Sequence, residues 1–199
     1  SIAYASEAGT PMVSDPGFPL ARAVIAEGLS VTAAPGPSAA LCALTVAGLP
    51  TDRFLFAGFA PSQKSVRRTF LQGLAPIEAT LVLYESPKRI NQILEDCCDI
   101  LGEGRKIALC RELTKRFEEV IRGTVAEVRQ AIAERDLKGE IVLVIGRGEK
   151  AASDAATIEA ALDRALEQMT VKDAASAVAE AFDLPRREVY QMALTRGKT

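Results

Sequence analysis

The chain has 199 residues, of which 48% are apolar and 25% charged, with a formal net charge of −2; this is the composition of a well-cored folded protein and excludes a wholly disordered one. It contains no histidine, so within it a Ser-His-Asp triad, a Cys-His dyad and the usual histidine zinc sites are excluded, and acid or base work falls to Asp, Glu, Lys, Tyr or water. No apolar stretch approaches the ~20 residues that span a bilayer and no charged-then-apolar leader opens the chain, so a cytoplasmic protein is expected, with any nucleic-acid contact confined to a local basic face.

In chain order, Ile2-Ala3-Tyr4-Ala5 reads as a short strand running into the loop Ser6 to Gly17. Small residues at Ala8 and Gly9 let a ligand approach the backbone, while Pro11 and Pro16 stiffen the turn. A strand is expected at Leu29 to Ala34, then a sharp turn at Pro35-Gly36-Pro37-Ser38 and a small-residue helix, Ala39 to Ala47, closed by Gly48-Leu49-Pro50. Apolar β-branched runs recur at Phe54 to Ala57, Thr80 to Tyr84, Ile107 to Cys110, Val120 to Ile121 and Ile141 to Ile145. Helical patterns lie between most of them. One is predicted to start at Ser86-Pro87 and carries Ile90, Ile93, Leu94 and Cys97 to Leu101; another starts at the capping box Thr124 to Glu127.

This alternation predicts an α/β protein with a largely parallel or mixed sheet. Residues 51–149 hold a complete α/β unit, whereas 1–50 supply two strands and two helices, the C-terminal part of an N-terminal α/β domain that lacks its first half. A linker is expected at Lys150 to Ser153, and residues 150–199 form a helical extension. Its apolar stripes are Ile158, Leu162, Ala165, Leu166 and Met169, then Ala175, Val178, Ala179 and Phe182, then Val189, Tyr190, Ala193 and Leu194. Three short helices with a tight turn before the last resemble a helix-turn-helix unit, and the bases Arg186, Arg187, Arg196 and Lys198 concentrate at its end. Cys42, Cys97, Cys98 and Cys110 show no paired C-x-x-C spacing and read as buried reduced thiols.

Four loops carry chemically capable groups: Ser6 to Gly17, Pro35 to Ala40, Tyr84 to Arg89 and Arg111 to Arg116. In this order, and with Leu49 to Phe54, Gly58 to Pro61 and Gly139 to Val142 between or after them, they resemble the motifs of the ribosomal RNA small subunit methyltransferase I family, a branch of the tetrapyrrole methylase superfamily. The resemblance runs through residues 1 to about 149. Two positions depart from it: Glu7 stands where the family usually has aspartate, and Lys88 where it usually has histidine.

The resemblance implies two α/β domains with S-adenosylmethionine in the cleft between them, and transfer of its methyl group to a cytidine ribose 2′-hydroxyl of small-subunit (16S) ribosomal RNA, free or in the assembled subunit, by a homodimer. By position, Ala8, Gly9, Thr10, Pro11, Ser38 and Ala39 would line one wall of the cofactor site. Tyr84, Leu113, Thr114, Gly139, Glu140 and Ile141 would line the other. Glu85, Lys88 and Glu112 are the side chains on offer for the hydroxyl proton, with Glu85 or Lys88 preferred; equally, Glu85 pairs with Arg89 or Lys88 to fix a helix start. Phosphate contacts are expected from Lys64, Arg67, Arg68, Lys88, Arg89, Lys115 and Arg116, and from Arg186 and Arg187 in the extension. The run Gln63 to Arg68 is expected to be a loop that RNA orders. Two rival readings are methylation of a tetrapyrrole-precursor carbon, and a noncatalytic RNA-binding or dimerisation fragment.

Overall fold

The computed structural model describes residues 2–148, 155–182 and 184–196; the linker expected at Lys150 to Ser153 lies outside them. The chain forms two compact units, 1–148 and 149–199.

The first unit is built on five strands: β1 (Phe54–Phe59), β2 (Thr80–Glu85), β3 (Lys106–Arg111), β4 (Glu119–Thr124) and β5 (Ile141–Ile145). Their order is β1-β2-β5-β3-β4, with β1 and β2 parallel and the other pairs antiparallel. The mixed sheet expected from the alternating pattern is the one observed. All five residues of β5 are buried, because its Ile-Val-Leu-Val-Ile run lies in the middle of a sheet covered on both faces.

Alternation along the strands sorts side chains into two layers. Leu81, Leu83, Ile107, Leu109, Ile141, Leu143 and Ile145 point to one face. There they pack under α3 (Lys64–Leu74), α4 (Ile90–Leu101) and α5 (Val125–Ile132). Val82, Ala108, Cys110, Val142 and Val144 point to the other, against Ala40, Ala43, Leu44 and Ala47 of α2 (Ala39–Ala47). The alanines of α2 let its backbone lie close to the sheet. Ser38 caps its N-terminus, Gly48 leaves it in the left-handed conformation at φ 72°, and the Arg122 guanidinium of β4 donates to the Val46 carbonyl in its last turn.

Three expectations are corrected. Ile2 to Ala5 and Leu29 to Ala34 form no strands; every residue from 2 to 37 is exposed or half-buried, and α1 (Phe18–Ala26) buries no side chain. A strand requires a hydrogen-bonded neighbour, and these runs find none among the described residues. Residues 86–89 form a separate turn, with the Arg89 N–H donating to the Ser86 carbonyl, so α4 begins at Ile90 rather than Pro87. Residues 64–68 are the first turns of α3 rather than a loop, because Arg67, Leu71 and Leu74 form its buried stripe.

The second unit packs α6 (Ala155–Leu166), α7 (Val171–Phe182) and α8 (Arg186–Arg196) around Leu162, Ala174, Ala175, Val178, Ala179, Val189 and Ala193. The Thr170 hydroxyl accepts the Asp173 N–H and donates to its carboxylate, capping α7. Tyr190 and Leu194, expected in the apolar stripe of α8, are each 37% exposed, and Val189 and Ala193 alone form its fully buried face.

Candidate active site at one end of the sheet

Strand register assembles the site. Phe59 pairs with Tyr84, Glu85 with Ile141, and Ile141 with Arg111, which in turn pairs with Glu119. The C-terminal ends of β1, β2 and β3 and the N-terminal ends of β4 and β5 therefore lie at one end of the sheet. Tyr84, Leu113, Thr114, Gly139, Glu140 and Ile141 are brought together there although they come from three stretches of sequence.

Glu112 ties two of those stretches. Its backbone N–H donates to the Glu140 carbonyl at 2.9 Å, its carboxylate accepts the Glu140 N–H at 2.8 Å, and the Lys115 ammonium donates to it at 2.9 Å. The Glu140 N–H, then Lys115, hold the Glu112 carboxyl below the usual range. Glu112, named above as a possible base, is thus an ionised clasp. Gly139 has φ 92°, and a Cβ there would collide with the Glu112 carboxyl, so glycine is required for both conformation and space. Glu112 and Thr114 themselves take positive φ, 50° and 64°, and the Glu118 carboxylate accepts the Thr114 N–H. Non-glycine residues held in that region mark a loop shaped by its surroundings.

The N-terminal loops join each other. The Thr10 hydroxyl donates to the Pro37 carbonyl at 2.9 Å, which sets Ala8 to Pro11 against Ser38 and Ala39 at the start of α2. Gly9, at φ 72°, faces the same carbonyl. The Ser14 hydroxyl lies 3.7 Å from where a Cβ on Gly58 would stand, so loop 6–17 also runs beside β1 near its C-terminal end. Tyr84 is half-buried on the α2 side, with its ring 4.8 Å from Phe56 and 5.5 Å from Phe59, both edge to face. Leu113 packs on the same face.

Glu85 points the other way, into the layer of α3 and α4. One carboxylate oxygen accepts the Ser86 N–H at 2.7 Å and the Arg89 guanidinium at 2.6 Å; the other is buried with no hydrogen-bond partner. Burial raises the Glu85 pKa, against the Ser86 N–H and Arg89, which lower it. Arg89 also donates to the Ala60 carbonyl, so the pair braces the loop after β1. Lys88 is exposed on the turn before α4.

The cations expected to meet phosphate separate into groups. Arg67 is 2% exposed and donates to Asp96 at 2.7 Å and to the Ser62 carbonyl, so its expected place on an RNA-facing surface is corrected to a buried strut. Arg68 is shared between Asp96 and Asp99, and Lys115 between Glu112 and Glu140. Lys64 is exposed, as is Arg116, which stacks over the exposed Phe117 ring at 5.5 Å. Asp96 escaped the sequence reading. Its signal was its place three residues after Ile93 and one before Cys97, on the buried side of a helix, where a carboxylate requires partners. Burial raises its pKa, but Arg67 and Arg68 outweigh it and hold the carboxyl low.

The signature of the Tetrapyrrole (Corrin/Porphyrin) Methylases matches residues 1–129, and that of the RsmI C-terminal HTH domain matches residues 151–197. A curated relative from Mesorhizobium japonicum, named ribosomal RNA small subunit methyltransferase I, is 43% identical over 98% of this chain and 66% of its own length. The protein of that name from Mycobacterium tuberculosis is 42% identical over 98% of this chain and 68% of its own. This chain belongs to the ribosomal RNA small subunit methyltransferase I family. It spans about two thirds of the length of these two members. The crystal structure of the methyltransferase CobJ shares the fold, with a TM-score of 0.53 at 20% identity over 72% of this chain and 62% of that one. In this chain the Arg111 to Lys115 and Gly139 to Val142 stretches each supply half of one hydrogen-bonded junction, through Glu112 and Glu140.

Among the described residues, no helix is long and apolar enough to cross a membrane.

Proposed function

We propose that this chain carries the cofactor-binding and RNA-contacting parts of an S-adenosylmethionine-dependent methyltransferase that acts on the ribose 2′-hydroxyl of a cytidine in small-subunit ribosomal RNA. The observation that carries the reading is the gathering of Tyr84, Leu113, Thr114 and Gly139 to Ile141 at one sheet end, with the Ala8 to Pro11 and Ser38-Ala39 loops joined through Thr10. An aromatic and aliphatic surface beside exposed small residues and loop backbone fits a ligand with a flat ring and a polar tail.

S-adenosylmethionine supplies a methyl group already activated on a sulfonium, so the protein's main task is alignment of that carbon with the ribose oxygen. The clasp of Glu112 with Glu140 and Lys115 holds the loop 111–114 in one shape for this purpose. The hydroxyl proton must leave during transfer. Glu85 is proposed for that role on the strength of its unpartnered buried oxygen and raised pKa, and Lys88 on the strength of its exposure three residues after the motif's tyrosine-glutamate pair. Lys64, Lys88 and Arg116, exposed and without an ion pair among the described residues, are proposed to meet phosphates on the first unit. The site is proposed to work in a homodimer in the cytoplasm.

Calorimetric titration of the 199-residue chain with S-adenosylmethionine, followed by methyl transfer to small subunits lacking the modification, tests this. Expected are micromolar binding and ribose methylation, with Glu85→Gln and Lys88→Ala impairing transfer more than cofactor binding. Wild-type turnover in both variants removes them from the chemistry. A second reading, RNA binding without catalysis, is favoured by the lack of any buried residue from 2 to 37, and absence of cofactor binding by this chain would select it.

A further inference from the structure

The second unit carries a shallow groove of about 400 Å³ lined by Lys172, Arg186, Arg187 and Tyr190. Arg186 and Arg187 are the first two residues of α8, and Tyr190 lies one turn later on the same side; Lys172 is the second residue of α7. All four are exposed. The adjoining side of α8 is buried through Val189 and Ala193, so the helix cannot roll to turn these residues inward without exposing that core.

The three cations have no ion-pair partner among the described residues. Nearby acids do not change this: the Asp173 carboxylate accepts the Thr170 hydroxyl, and Glu188, next to Arg187, forms no ion pair among the described residues. In the same unit Arg196 is held by both Glu159 and Asp163, so the absence is local to the groove rather than general to these helices. Three uncompensated cations at the starts of two helices form a concentrated positive rim. Beside it a phenol ring presents an exposed face.

We infer that this groove binds a single-stranded RNA segment, with Lys172, Arg186 and Arg187 on successive phosphates and an unpaired base stacked on Tyr190. Phosphate alone explains the cations but not the exposed ring, and a duplex keeps its bases stacked on one another and offers the ring no face. The groove is too open to enclose a small metabolite, whereas a polymer passes along it. The inference rests on the reading of RNA as substrate, and Lys172 and Tyr190 extend the contact beyond the two arginines read from the sequence.

The test is fluorescence anisotropy of the whole chain with a short labelled single-stranded RNA and with the same strand annealed to its complement, over a range of salt. The single strand is expected to bind more tightly. Tyr190→Ala should weaken single-strand binding on the order of tenfold, with Tyr190→Phe restoring it. The combined Lys172→Gln, Arg186→Gln, Arg187→Gln variant should reduce the slope of log affinity against log salt by about 2, at roughly 0.7 per phosphate. Equal binding of duplex and single strand, or wild-type affinity and slope in these variants, overturns the inference. S-adenosylmethionine titration on the same variants keeps the two readings apart: cofactor binding with unaltered RNA affinity defeats the groove alone, and altered RNA affinity without cofactor binding defeats the catalytic reading alone.

Discussion

The cations of α3 and of the turn before α4 look like those of α7 and α8 in the sequence but stand in opposite surroundings. Arg67, Arg68 and Arg89 lie under or beside the sheet, where Asp96, Asp99 and Glu85 neutralise them and where their remaining donors hold the Ala60 and Ser62 carbonyls. Lys172, Arg186 and Arg187 stand on a helix surface with no such partners among the described residues. A charge inside a fold must be compensated, and once compensated it braces backbone; a charge left uncompensated at the surface remains available to a ligand. Sequence density of arginine therefore does not tell which cations are left uncompensated; ion pairing in the fold does.

The comparison breaks most severely at Asp96. Asp96→Asn leaves the nearly inaccessible Arg67 guanidinium without its counter-charge and is expected to cost about 3–5 kcal/mol in urea unfolding. Next is Gly139→Ala, which forces a side chain into positive φ and into the Glu112 carboxyl; a loss of about 1–3 kcal/mol is expected from the strain. Because the clasp shapes the proposed cofactor wall, calorimetry should show weaker S-adenosylmethionine binding by that variant even where it remains folded.

Glu85→Gln sharpens the comparison through pH. A buried carboxyl with a raised pKa favours the folded state fully only below its unfolded value near 4.5, and that contribution is lost as pH rises toward and through the raised folded value. The neutral amide has no such loss. Melting temperatures measured from pH 4 upward should therefore move in the variant's favour, relative to wild type, as pH increases. The smallest effect belongs to Arg186→Gln with Arg187→Gln, for which unfolding free energy should stay within about 0.5 kcal/mol of wild type. A larger destabilisation would show that these arginines are structural after all and would erase the contrast.

Legibility followed the locality of the physics. The helix Ala39–Ala47, the capping box at Thr124 and the five strands between residues 54 and 145 come from spacing and short-range capping, and each was readable in the chain. Ile2 to Ala5 and Leu29 to Ala34 misled because β propensity describes a residue's fit to a strand, while the strand itself requires a neighbour's hydrogen bonds. Arg67 misled for the same reason in electrostatic form: its partner is 29 residues away on another helix.

The sequence alone determined the alternation that makes an α/β sheet, the three-helix unit that follows it, and the ordered motifs of the family. Only tertiary structure decided which end of the sheet those motifs share, because strand order and register are set by packing between distant segments. It also decided which carboxylates are clasps, struts or buried acids, since that depends on which donors reach them. The roles of Glu85, Glu112 and Asp96 differ through depth of burial and the groups within hydrogen-bond distance, and neither quantity exists until the chain has folded.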